Sequence, residues 1–144
     1  MADKILVVDD ELEIRDLLTN FLAEEGYEVI VASTGEEAIE LAAKENPQVI
    51  LLDIMMPGMG GLETCKRLKA EERTRFIPVI MTTVLWDTYA EAIEAGAEDF
   101  VTKPFHLAEL SFRVQSIRRV RYLNNELERA VAYIQELGKD LPKI

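Results

Sequence analysis

One cysteine and one histidine are all that 144 residues offer of those types, and that scarcity closes off whole classes of protein. Cys65 has no second thiol to pair with and no imidazole at ligand spacing, so disulfide frameworks and Cys/His metal sites are excluded and a cytoplasmic location is expected. His106, the sole histidine, stands near the start of the last helical pattern and reads as an exposed residue. Positive charge is also short: 16 Lys and Arg face 27 Asp and Glu, a formal net charge of -11. A surface of that sign repels nucleic-acid phosphates and anionic membranes, so neither is expected as a partner. No apolar run approaches the roughly 18 residues that a bilayer crossing requires. The opening MADKILVVDDELEIRD lacks a basic leader region and a small-residue cleavage site, so no signal peptide is expected.

What is present is an alternation. KILVV (Lys4 to Val8) reads as a strand, and Leu12, Leu17, Leu18, Phe21 and Leu22 mark a helical face closed by Gly26. EVIVA (Glu28 to Ala32) is a second strand, followed by an Ala- and Glu-rich helix from Gly35 to Lys44 that Asn46-Pro47 stops. VILLD (Val49 to Asp53) is the third strand and Leu62 to Ala70 the third helix. FIPVIMTT (Phe76 to Thr83) carries a fourth strand whose Pro78 must lie near its start. Tyr89, Ala92 and Ile93 place a helix ending at Gly96, DFVTK (Asp99 to Lys103) is the fifth strand, and Pro104 precedes a long final helix. Strand and helix alternating in this way predict an α/β fold, a doubly wound parallel sheet whose ligands gather outside the carboxyl ends of the strands.

Those ends carry the chemistry. Strand one runs into Asp9 and Asp10, strand three into Asp53, strand four into Thr82 and Thr83, and strand five into Lys103. Read one at a time they are ordinary: Asp9 and Asp10 suit a helix cap, Asp53 a turn ahead of Pro57-Gly58, Thr82 a strand and Lys103 a surface. Read together they converge on one edge. Three crowded carboxylates need a cation to stay ionised, and oxygen donors alone suit a hard one such as Mg²⁺, or Mn²⁺. Asp53 then has the position of a nucleophile toward phosphorus.

VVDDE (Val7 to Glu11), LLDIMMPGMGG (Leu51 to Gly61), the Thr82-Thr83 pair and FVTKPF (Phe100 to Phe105), in that order, resemble the receiver domain of two-component response regulators, over about residues 3 to 120. The resemblance implies a flavodoxin-like five-stranded sheet of order 2-1-3-4-5 with five helices. It implies phosphorylation of Asp53 by a sensor histidine kinase or phosphotransfer protein. By the same resemblance Asp10 and the Met55 carbonyl are Mg²⁺ ligands beside Asp53, with Asp9 acting through water. Thr82, the Thr83 backbone and Lys103 hold the phosphoryl group, Thr82 and Phe100 form the switch, and the Lys103-Pro104 bond is cis. Signalling would run through the fourth helix, fifth strand and fifth helix. Two departures stand out: Gly60 where the family most often has an acid, and Thr83 where it usually has Ala or Gly, bulk expected to hinder approach to the site.

Residues 1–120 are read as that domain and 121–144 as a helical extension or linker. Val120, Leu123, Leu127, Ala130, Ile134, Leu137 and Leu141 step by three and four, the seam of a coiled coil that continues the fifth helix and joins two copies in parallel. The other reading is an amphipathic helix folded back on its own domain. The chain ends as a fragment of a longer regulator, or dimerisation is itself the output. Two rivals remain: an aspartyl phosphohydrolase, which requires a second Asp where Met55 stands, and a structural dimerisation protein with an inactive site.

Overall fold

Residues 2–139 are described by a computed structural model of the chain. Five parallel strands form one sheet: β1 (Lys4–Val8), β2 (Glu28–Ala32), β3 (Val49–Asp53), β4 (Val79–Thr83) and β5 (Asp99–Thr102), in the spatial order β2-β1-β3-β4-β5. The order follows from right-handed crossovers that send the chain to one side of β1 and then to the other. Helices α1 (Leu12–Glu24) and α5 (Leu107–Val120) cover one face, and α2 (Gly35–Glu45), α3 (Gly61–Ala70) and the short α4 (Tyr89–Glu94) serve the other. A single 3₁₀ turn, Trp86–Thr88, leads into α4.

The central strands are buried on both faces, which is why β1 and β3 need no polar alternation. Leu6, Val8, Ile50, Leu52 and Met81 face α2 and α3, while Ile5, Val7, Leu51 and Ile80 face α1 and α5. Full burial of such side chains contributes on the order of 2 kcal/mol each. Thr34 caps α2 by accepting the Glu37 N–H at 3.1 Å, and Asn46 closes it in the left-handed conformation.

The extension departs from one expectation. It is helical, but it does not continue α5. The chain turns over residues 121–125, and α6 (Glu126–Lys139) folds back to pack beside α5 and over the start of β5. The expected seam is thereby divided. Val120, Leu123 and Leu137 pack into the α1/α5 core, whereas Leu127 and Ile134 are 74% and 67% exposed and Ala130 is exposed as well. Leu141 lies outside the described residues. The physical reason is that α6 buries Arg129 and Tyr133, which find the Glu98 and Asp99 carboxylates at the start of β5 and the Arg121 carbonyl just after α5.

Candidate functional site

The carboxyl ends of β1, β3, β4 and β5 bring Asp9, Asp53, Thr82 and Lys103 to one edge of the sheet, as the alternation required. Asp53 is the last residue of β3 and pairs in register with Thr82 of β4. Its position depends on Gly61: a Cβ there would lie 2.1 Å from the Asp53 carbonyl oxygen, so the first turn of α3 can approach β3 this closely only without a side chain. Gly58, at φ +76°, supplies the left-handed turn that reverses the loop between them.

Asp9 and Asp53 are both buried, Asp10 is exposed, and one oxygen from each lies within 4.8 Å of the others. Asp9 is held on several sides. Its Oδ1 accepts the Glu11 N–H at 2.9 Å, its Oδ2 accepts Lys103 Nζ at 2.6 Å, and its carbonyl accepts Arg15 Nη1 at 2.7 Å. It therefore performs the bland task of anchoring the start of α1 while lining the cluster. Asp53 has less support: Lys103 Nζ stands 3.4 Å from its Oδ1, and the Met55 N–H donates to that oxygen at 3.3 Å.

Burial and the neighbouring Asp9 charge push the Asp53 carboxyl up to about 6, against the opposing pull of Lys103 and the Met55 N–H. Burial works against the Lys103 ammonium, but the hydrogen bond it donates to Asp9 and the charge of Asp53 outweigh it and raise its pKa. Three acids against one lysine leave negative charge uncompensated. All-oxygen donors with an excess of charge fit a hard divalent cation, so the residues present suit Mg²⁺.

Thr82 is buried at the cluster's wall, and its carbonyl accepts the Ile54 N–H at 2.9 Å. Thr83 is fully buried; its hydroxyl accepts the Leu85 N–H at 3.1 Å and its carbonyl accepts the Lys103 N–H at 2.8 Å, ahead of the cis Lys103-Pro104 bond. Phe100 is half-buried, with its ring meeting Tyr89 edge-on at 5.7 Å. Met55 is exposed, while Met56 packs into the core. His106 is exposed at the position capping α5.

The response regulator receiver domain family matches residues 5–115. The chain belongs to that family. As a receiver it is a phosphoacceptor module rather than an enzyme of the ordinary kind. The receiver is 42% identical over 141 residues to the response regulator PleD of Caulobacter vibrioides, covering 96% of this chain and 31% of that protein. It is 43% identical over 121 residues to the alkaline phosphatase synthesis transcriptional regulatory protein PhoP of Bacillus subtilis, covering 83% of this chain and 50% of the other. It thus spans a third to a half of the length of these curated relatives. Among solved structures, a response regulator from Chloroflexus aurantiacus superposes with a TM-score of 0.79 at 34% identity, over 83% of this chain and 99% of that one. The receiver domain of a sensor histidine kinase from Pseudomonas aeruginosa superposes with a TM-score of 0.74 at 28% identity, over 80% and 96% of the two chains; it is described with a magnesium ion coordinated in its active-site cleft.

A second polar cluster was not anticipated from the sequence. Glu98 accepts Lys69 Nζ at 2.7 Å and the Val79 N–H at 2.6 Å, with Arg129 Nη1 at 3.7 Å, and Asp99 Oδ2 accepts both Arg113 Nη1 at 2.6 Å and the Tyr133 hydroxyl. An arginine and a tyrosine within an otherwise amphipathic helix were the available signal. No helix among the described residues is long and apolar enough to cross a membrane.

Proposed function

We propose that this receiver accepts a phosphoryl group on Asp53 from a phosphohistidine of a sensor histidine kinase or phosphotransfer protein, with Mg²⁺ bound. The observation that carries the reading is the position of Asp53 at the tip of a central strand, 3.4 Å from Lys103 and within 4.8 Å of the oxygens of Asp9 and Asp10. An Asp53 carboxylate oxygen attacks phosphorus, a P–O bond forms as the P–N bond breaks, and the imidazole nitrogen leaves with the bond's electron pair and takes up a proton. Asp10, Asp53 and the Met55 carbonyl would hold Mg²⁺, with Asp9 contacting it through water. When bound, the ion neutralises charge on the transferring phosphoryl oxygens.

Lys103 is the residue with two tasks. It compensates Asp9 and Asp53 beforehand and turns toward the phosphoryl oxygens afterwards, with Thr82 and the Thr83 N–H as further donors. Thr82 and Phe100 would then shift together, and the change spreads over α4, β5 and α5. Met55 leaves no second carboxylate two residues after Asp53, the group a phosphohydrolase needs for fast turnover. A cytoplasmic location, homodimerisation through the C-terminal helix, and an output domain beyond residue 144 belong to the same reading. The division into a receiver over 1–120 and a linker over 121–144 does too.

Incubation with Mg²⁺ and acetyl phosphate, followed by intact mass, tests it. One base-labile phosphoryl adduct that is absent from Asp53→Ala is the expected result. No adduct on the wild-type chain overturns the reading.

A further inference from the structure

We propose that α6 is a latch: docked, it holds the chain folded back, and released, it joins α5 as one helix whose completed apolar seam pairs in parallel with a second copy of this chain. This deepens the dimer named above and rests on it.

The docked helix satisfies only part of its apolar surface. Leu127 and Ile134 project from α6 with Val131, itself 47% exposed, beside them. Val120, Leu123 and Leu137, which complete the same three-and-four spacing, are packed against the domain core. A helix with one continuous seam is thus divided between two environments, and the fold-back leaves half of that seam in water. Joining α5 and α6 would put Val120, Leu123, Leu127, Ala130, Ile134 and Leu137 on one stripe, with Val131 at its edge.

The only local cause of the turn between the helices is the Asn124-Asn125 pair, whose second member caps α6. Residues 121–125 read Arg-Tyr-Leu-Asn-Asn, without Gly or Pro. With that cap, contacts across the turn hold the break. Arg129 Nη2 donates to the Arg121 carbonyl at 2.5 Å, and Asn125 caps α6 by accepting the Glu128 N–H at 3.0 Å. In a continuous helix the Arg121 carbonyl would accept the Asn125 N–H instead. Beside the apolar packing of Leu123, Ala132 and Leu137, the docked contacts include polar ones that are incompletely satisfied. Arg129 is buried with its Nε unpartnered among the described residues, and Tyr133 reaches the same Asp99 carboxylate that Arg113 holds. Contacts of this kind depend on geometry and release together, unlike a purely apolar interface.

Charge favours a second copy as the occupant. In a chain of net charge -11, residues 107–139 carry six Lys and Arg against four Glu, so two copies meet least repulsion along this segment. In a parallel pair the seam's flanks set Arg119 against Asn124, Glu126 against Val131 and Tyr133 against Gly138, with no like charges opposed. The latch grips Glu98 and Asp99, the residues just before Phe100, so a shift in β5 reaches α6 directly.

Three full-length proteins test this by sedimentation velocity across concentration. Arg129→Ala/Tyr133→Phe loosens the latch without touching the seam and is expected to dimerise about tenfold more tightly than wild type. Glu126→Pro sits at the first residue of α6, where proline is tolerated, but it breaks a joined helix; it is expected to keep the wild-type unfolding midpoint and to weaken dimerisation about a hundredfold. Leu127→Asp/Ile134→Asp in the loosened background is expected to stay monomeric. Equal dimerisation by wild type and Glu126→Pro leaves the dimer standing and overturns the latch, as does equal dimerisation by wild type and the loosened variant. Monomers throughout overturn both. Phosphoryl adducts, measured by mass, are independent of these outcomes.

Discussion

The two ends of β5 each meet a buried polar cluster, and the clusters are built on opposite plans. At the carboxyl end, Lys103 is the one cation among the described residues that faces Asp9 and Asp53, with exposed Asp10 beside them, so negative charge is left over. At the amino end, Glu98, Asp99 and Glu109 face Lys69, Arg113 and Arg129, three acids to three bases, with Tyr133 completing the set. Balanced charge describes a fastening, complete in itself. Surplus charge of one sign describes a seat whose occupant arrives from outside, first a cation and then a phosphoryl group.

Removing the acceptor gives the largest effect, since Asp53→Ala abolishes the phosphoryl adduct in the mass experiment. Next comes the lone cation. Lys103→Met leaves buried Asp9 and Asp53 facing each other, and is expected to cost about 3 kcal/mol in urea unfolding at neutral pH with EDTA, with part regained on adding Mg²⁺. The corresponding change at the balanced end is smaller: Arg113→Ala leaves Asp99 with the Tyr133 hydroxyl and backbone, and should cost about 2 kcal/mol, insensitive to Mg²⁺.

The surplus charge also predicts a pH signature. In the folded, metal-free protein the Asp53 carboxyl lies at about 6, above its ordinary 3.8, so folding favours the protonated form. Its ionisation therefore costs nothing below about pH 4 and costs progressively more as pH rises through 6, up to about 3 kcal/mol. Asp53→Asn should match wild type near pH 4 and exceed it in stability at pH 7.5, and Mg²⁺ should narrow that gap. Equal stability at both pH values would show that Asp53 carries no burial penalty. The smallest effect concerns Gly60, where an added Cβ meets the Ile54 carbonyl at 3.4 Å, an ordinary contact. Gly60→Asp should change stability by less than about 0.5 kcal/mol while altering the lifetime of the adduct, followed by mass against time.

The sheet and its active edge were legible because each rests on a local rule. VILLD ends in a charge that a buried strand cannot hold in its middle, and parallel strands deliver their ends to one side. The reversal at residues 121–125 was not legible. The spacing of Leu123, Leu127, Ala130, Ile134 and Leu137 is the same for a helix pairing with another chain and for one lying on its own domain. What separates them is where Arg129 and Tyr133 find their partners, and those partners, Glu98, Asp99 and the Arg121 carbonyl, come together only in three dimensions. A role for Thr83 that the sequence did not suggest is local: its hydroxyl accepts the Leu85 N–H, bracing the loop that follows β4.

Cys65 is buried in the core, and burial pushes its thiol up to about 12. At neutral pH it is almost wholly protonated and out of reach of alkylating reagents, so the native chain is silent to maleimide chemistry. A cysteine introduced at Leu127 would then be the single reactive thiol, and one dye attached there would report how far α6 travels from its own domain without any native residue having to be removed first.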